Sequence, residues 1–119
     1  MAKIFSREIL KSKIYYAKVT GADLHYEGSM GIDENIMEKA NILPGEVVHV
    51  LNVENGSRII TYAIPEKRGS RAFLLYGPAV RSGLVGDRVV ILSYCSVLEE
   101  DAATFTPDVV KLDKDNNIE

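Results

Sequence analysis

Residues 47–64 read VVHVLNVENGSRIITYAI. Residues 47–53 and 58–64 are rich in β-branched side chains, which pack well on a pleated, half-buried surface. Asn55-Gly56 stands between them, and this dipeptide accepts the positive φ angles that a tight hairpin turn demands. The stretch is predicted to be a β-hairpin, which makes the fold mainly β. Working outward, residues 14–20 (IYYAKVT) and 71–76 (RAFLLY) read as further strands, with Gly21-Ala22-Asp23 breaking the first. Gly86-Asp87 turns into residues 88–97 (RVVILSYCSV), a run apolar on both faces that belongs in a central strand. Residues 104–112 can add a last edge strand. Asp33 can cap a short helix over residues 34–40, whose Ile36, Met37 and Ala40 form an apolar stripe, before Pro44-Gly45 turns the chain. Many short strands separated by turn signals predict a small closed barrel or a sandwich, and the pattern leaves both open.

The chain has 119 residues, the size of one domain that can bury a core without staples. With 46% hydrophobic and 26% charged residues it has the composition of a globular protein rather than a disordered one. A net charge of −3 carries no nucleic-acid footprint. No apolar run approaches the roughly 18 residues that span a bilayer, so no membrane partner is expected. Residues 1–13 alternate charged and apolar positions and lack a signal-peptide core. The lone Cys95 has no internal disulfide partner, which fits a cytoplasmic protein.

No metal, phosphate or dinucleotide motif is present in the sequence. His25 and His49 are far apart in sequence and are expected as packed or surface residues. Cys95, in an apolar strand, is expected as a buried inert thiol. Glu99-Glu100-Asp101 reads as a solvated charge run at a helix start. The remaining chemistry lies in Gly-Ser pairs, at 28–29, 56–57 and 69–70. A glycine carbonyl is open to close approach, and the hydroxyl of a following serine can attack it, turning the amide into an ester. Elimination then leaves dehydroalanine, which hydrolyses to a pyruvoyl group. Composition does not select among the three pairs.

The segments KVTGADLHYEGSMGID (18–33), LNVENGSRIITYAIPEKRGSR (51–71) and GLVGDRVVILSY (83–94) resemble, in one register over nearly the whole chain, the bacterial pyruvoyl-dependent aspartate 1-decarboxylases. The resemblance implies a single domain, 1–119, mainly β, folded as a small double-psi β-barrel with short helices. It implies self-cleavage between Gly28 and Ser29 into fragments 1–28 (β chain) and 29–119 (α chain), with a covalent pyruvoyl cofactor made from Ser29. It implies a carboxy-lyase that takes L-aspartate to β-alanine and CO2 through a Schiff base, in pantothenate biosynthesis. Homotetramer assembly, a cytoplasmic location and a possible maturation factor are implied in the same way.

Residue by residue, the resemblance makes Tyr62 the proton donor. Phenols titrate near ~10, so a tyrosine carries its proton at neutral pH. Thr61 matches a substrate-contacting position. Adjacent strand residues point to opposite faces, so a bulge, a strand end or a subunit boundary must let both reach one pocket. Arg58 and Lys13 match the family's basic residues, and an arginine can grip a carboxylate through two hydrogen bonds. Gly77, Pro78 and Ala79 match a backbone segment that binds substrate. The chain departs from the family at Tyr76-Gly77-Pro78-Ala79, usually Asn-Gly-Ala-Ala, and at Met30, commonly cysteine. Proline has no N–H, so one donor is lost. These departures leave two alternatives to an active enzyme: a non-processing homologue of the same fold with Ser29 intact, or a β-barrel interaction module.

Overall fold

The computed structural model describes residues 5–119. Eight strands form one sheet: β1 (Ser6–Lys18), β2 (Gly21–Asp23), β3 (Ser29–Asp33), β4 (Val47–Asn52), β5 (Arg58–Glu66), β6 (Phe73–Tyr76), β7 (Arg88–Leu98) and β8 (Asp108–Lys111). Their order across the sheet is β2-β6-β3-β5-β4-β7-β1-β8. Short helices α1 (Glu34–Lys39) and α2 (Glu99–Ala102) and a 3-10 helix (Gly77–Ser82) complete the fold. The fold is mainly β, as expected, with the short helices of the small barrel that the family implies. Three strand pairs are parallel: β2 with β6, β3 with β5, and β1 with β8. Parallel neighbours cannot be joined by tight hairpins, so the chain must cross over itself, unlike a plain meander of hairpins.

The hairpin falls where the sequence puts it. Val47 pairs with Tyr62 and Leu51 with Arg58. Gly56 takes φ +75°, and its amide closes the turn onto the Asn52 carbonyl at 2.9 Å. The central strand is β7, between β4 and β1. Two strands were not anticipated. Gly21-Ala22-Asp23, expected as a break, forms β2, and Ser29–Asp33, for which no strand was expected, forms β3.

Asp33 caps α1, accepting from the Asn35 amide at 2.8 Å. Its carboxylate also takes the amides of Gly69 at 3.1 Å and Arg71 at 2.7 Å, which ties the end of β3 to the turn before β6. Alternation along the strands gives the sheet two faces. One carries Met30, Ile32, Val48, Val50, Ala63, Phe73, Leu75, Val89 and Ile91 into the core, each almost fully buried. The opposite, outer face carries Ser29, Gly31, Tyr62, Glu66 and Tyr76, in the registers Ser29–Tyr76 and Asp33–Glu66.

Candidate active site

Ser29 is the first residue of β3 and is completely buried. Residues 22–27 before it are exposed, and Gly28 is half-buried. The Gly28–Ser29 peptide therefore sits where an open loop enters the sheet. The Ser29 hydroxyl donates to the Glu27 carbonyl at 3.3 Å, which turns Oγ back over Gly28.

A hollow of ≈ 410 Å3 opens beside this bond, lined by Gly28, Ile59, Ile60, Thr61, Tyr62, Pro78 and Ala79. Consecutive residues of β5 line it because it lies along an edge. β4 pairs with residues 58–62 on one side of β5, whereas β3 pairs with residues 63–66 on the other. Along residues 59–62 the β3 side of β5 faces Gly28 and the 3-10 helix. An edge is open to side chains of both faces, so Thr61 and Tyr62 both border the hollow without a bulge.

Gly77 has φ +60°, the left-handed region that glycine tolerates. A Cβ there would lie 2.6 Å from the Tyr26 carbonyl oxygen and 2.8 Å from the Gly28 nitrogen. The backbone at 77 thus supports the chain just upstream of Ser29. Pro78 is the second residue of the 3-10 helix, in the first turn, where amides have no internal partner, so its missing N–H costs little there. Its ring packs on Gly28, with Cδ 3.2 Å from where a Cβ would stand.

Arg58 and Lys13 are not part of this hollow. Arg58 is exposed at the start of β5, its Nη2 donating to Tyr94 Oη at 3.2 Å and lying 3.1 Å from His49 Nδ1. Four residues along a strand is roughly 13 Å from Tyr62. Lys13 is on β1, three strands from β5, with its Nζ 4.9 Å from the centre of the Tyr15 ring. Both belong to the same outer face, since Lys13, Leu92, His49 and Ile60 form one row across the sheet. His25 is exposed and His49 half-buried, as expected. Cys95 is half-buried rather than enclosed: it lies beyond the stretch of β7 that β4 covers and lines a shallow hollow with Glu8, Val47 and Tyr94. Among the described residues no cluster of His, Cys, Asp or Glu could hold a metal.

Residues 5–119 match the family model of aspartate decarboxylase. The chain belongs to that family. It is 49% identical to the aspartate 1-decarboxylase of Sulfurihydrogenibium sp. (strain YO3AOP1), over 93% of this chain and 83% of that protein. It is 49% identical to the aspartate 1-decarboxylase of Dehalococcoides mccartyi (strain ATCC BAA-2266 / KCTC 15142 / 195), over 92% and 89%. With that of Herminiimonas arsenicoxydans it shares 47% identity over 93% of both chains. In this family member Gly28, Thr61, Tyr62, Pro78 and Ala79 come together within one chain, beside the Gly28–Ser29 bond.

Sequence reasoning singled out Tyr76 as a departure from the family but missed its partner, Glu66. Tyr76, opposite Ser29 across β3 and β6, donates through its hydroxyl to Glu66 Oε2 at 3.0 Å. Its ring stacks on Tyr26 with centroids 4.5 Å apart. Burial first, then the Glu66 carboxylate, pushes the Tyr76 hydroxyl up to about 12. No sequence signal announced Glu66, because β3 itself was not legible; in the structure Gly31 is a glycine inside a strand, which often marks a close approach. A Cβ on Gly31 would collide with Glu66 Oε2 and lie 2.9 Å from the Tyr76 ring.

Proposed function

We propose that this chain is the proenzyme of an aspartate 1-decarboxylase that cleaves itself between Gly28 and Ser29. The observation that carries this reading is the buried Ser29 hydroxyl turned over Gly28, beside a hollow bordered by Thr61 and Tyr62. In the cleavage, Oγ of Ser29 bonds to the Gly28 carbonyl carbon as the C–N bond breaks, giving an ester. Loss of the Ser29 α-proton and of the Gly28 carboxylate leaves dehydroalanine at residue 29. Water then releases ammonia and leaves the ketone. The products are fragments 1–28 and 29–119; of the first, residues 1–4 lie outside the described residues.

The residues present fit the pyruvoyl group, since its source, Ser29, directly follows Gly28, which borders space for a small substrate. That group supplies a ketone that draws off the electron pair left when CO2 departs from L-aspartate. Tyr62 returns a proton to the α-carbon, which gives β-alanine. Thr61 and the backbone of Gly77 and Ala79 orient the substrate. Pro78 contributes its ring and carbonyl but no amide donor. Arg58 and Lys13 neutralise the carboxylates of aspartate. Because they lie away from the hollow of their own protomer, a second copy has to bring them to it. Exposed Ile60 (66%) and Val47 (58%) on the same outer face give such a copy apolar surface to cover. A homotetramer acting in the cytoplasm, in pantothenate and hence coenzyme A biosynthesis, is the setting this reading takes. No helix among the described residues is long and apolar enough to cross a membrane.

The decisive experiment is intact-mass analysis of purified protein incubated alone. Two fragments are expected, one ending at Gly28 and one blocked at its N-terminus, with β-alanine formed from aspartate. Ser29→Ala should remain one chain without activity, and a cleaved, active Ser29→Ala protein would sink the mechanism. Cleavage only after adding cell extract would identify a maturation factor. Sedimentation at working concentration tests assembly, with four copies expected.

A further inference from the structure

We propose that Glu66 is a positioning residue for self-cleavage, acting through Tyr76 on the segment immediately upstream of Ser29. The inference rests on the Gly28–Ser29 reading and adds to it a device outside the reacting groups. Four observations meet at one place. The Tyr76 hydroxyl donates to Glu66 Oε2 at 3.0 Å. The Tyr76 ring lies against Tyr26, at 4.5 Å between centroids and 40° between planes. The next residue, Gly77, meets the Tyr26 carbonyl and the Gly28 backbone so closely that no Cβ could fit. Gly31, two residues after Ser29, lacks the Cβ that would block the Glu66–Tyr76 bridge from lying across β3.

The physical consequence concerns alignment. The loop over residues 24–27 is exposed, and Tyr26 itself is 54% exposed. A peptide bond at the junction of such a loop with a rigid strand samples many orientations, and attack by Oγ needs one of them. Reacting groups held near their attack geometry gain rate because the ordering cost has already been met. Tyr76 is fixed on its backbone side by pairing with Ser29 and on its hydroxyl side by Glu66. A ring anchored at both ends offers Tyr26 a rigid stacking surface and so fixes the chain two residues before Gly28. Aromatic stacking of this kind is worth a measurable amount beyond area alone. The hydroxyl of Tyr76 stays protonated in neutral solution, held up at about 12 by burial and by Glu66, so the bridge persists at working pH.

The test compares cleavage rates of full-length chains at fixed temperature by intact mass, with melting temperatures measured in parallel. Glu66→Ala and Tyr76→Phe are each expected to slow cleavage about tenfold or more, the rate equivalent of one hydrogen bond to a charged group. Glu66→Gln keeps an acceptor oxygen and is expected to restore a rate within about threefold of wild type. The double variant Glu66→Ala, Tyr76→Phe should be no slower than the slower single variant, because both break one bridge. Wild-type cleavage matched by both single variants would overturn the inference while leaving the Gly28–Ser29 reading intact. So would a Glu66→Gln chain as slow as Glu66→Ala, or rates that merely follow melting temperature. A wild-type chain that never cleaves would overturn the reading itself and this inference with it.

Discussion

Thr61 and Tyr62 leave β5 on opposite faces, yet both border the hollow beside Gly28 because β5 loses β3 as a neighbour there. That arrangement allows a residue test that separates maturation from turnover. Tyr62→Phe keeps the ring and loses only the hydroxyl. Its chain is expected to cleave normally and to turn over aspartate on the order of 10²–10⁴-fold more slowly, the usual contribution of a positioned general acid. Unchanged turnover would remove Tyr62 from the reaction. Arg58 makes a second test. Its guanidinium is exposed and held by Tyr94 and His49 rather than by an acid, so it remains available to an external carboxylate. Arg58→Ala is expected to raise KM for aspartate roughly 10-fold or more through loss of a charge-assisted contact. A wild-type KM would make Arg58 a surface residue only. Tyr76 shows what a single departure from a family pattern can hide. Read alone, it is a bulky ring where a small amide is usual. In place, its hydroxyl reaches Glu66 and its ring leans away over Gly31.

Among the elements, β3 depends most on a single side chain. Asp33 is 1% exposed, caps α1 and accepts the amides of Gly69 and Arg71. Removing it strands three backbone donors at the end of the strand that begins with Ser29. Asp33→Ala is expected to lower stability by at least about 2 kcal/mol, more than a surface cap alone. Urea unfolding would check this, and a loss below about 0.5 kcal/mol would mean that water replaces the carboxylate. The cap was legible in the sequence, as were the hairpin, β7 and α1, because each rests on local chemistry: an Asn-Gly turn, a run apolar on both faces, an aspartate before an apolar stripe. β2 and β3 were not. They are short and glycine-bearing, and they become strands only because β6 and β5 offer them partners from distant sequence. Asn116 escaped for the same reason. Buried at 1%, it accepts from the Lys18 amide and donates to the Lys18 and Arg71 carbonyls, holding the C-terminal segment to β1. Nothing in its neighbouring residues announces those partners. The site divides likewise. The Gly28–Ser29 bond and Tyr62 followed from resemblance, whereas Glu66 required the register of β3 with β5.

At the scale of the whole molecule, carboxylates set how the fold meets acid. Glu46 lies between Lys11, 3.0 Å away, and the hydroxyl of Ser93. Burial alone would raise its pKa, but hydrogen bonds from Ser93, the Leu43 amide and Lys11 outweigh burial and hold it below the usual glutamate value of 4.5. Asp87 is held down by the Asn52 amide and the Leu84 N–H, and Asp113 by the amides of Asn117 and Asp115. Glu38 and Glu99 are lowered by their bonds to Arg68 and Arg7. A carboxyl group whose pKa is depressed by folding binds a proton more readily when unfolded. Its contribution is therefore complete above the unfolded pKa and lost as pH falls through the folded one. All five shifts have that sign, so stability should be level near neutrality and fall on acidification below about pH 4.5. Glu46 is the least exposed to solvent of the ion-paired members and should contribute most per group. Unfolding midpoints from pH 7 to pH 3 on the uncleaved Ser29→Ala chain would keep both fragments joined during the measurement. Adding Glu46→Gln should lower stability at neutral pH and flatten the acid limb by up to about one proton, since the amide cannot titrate. An unaltered slope would mean that Lys11, Ser93 and Glu46 meet no better in the folded protein than in water, and the acid limb would then belong to the exposed carboxylates alone.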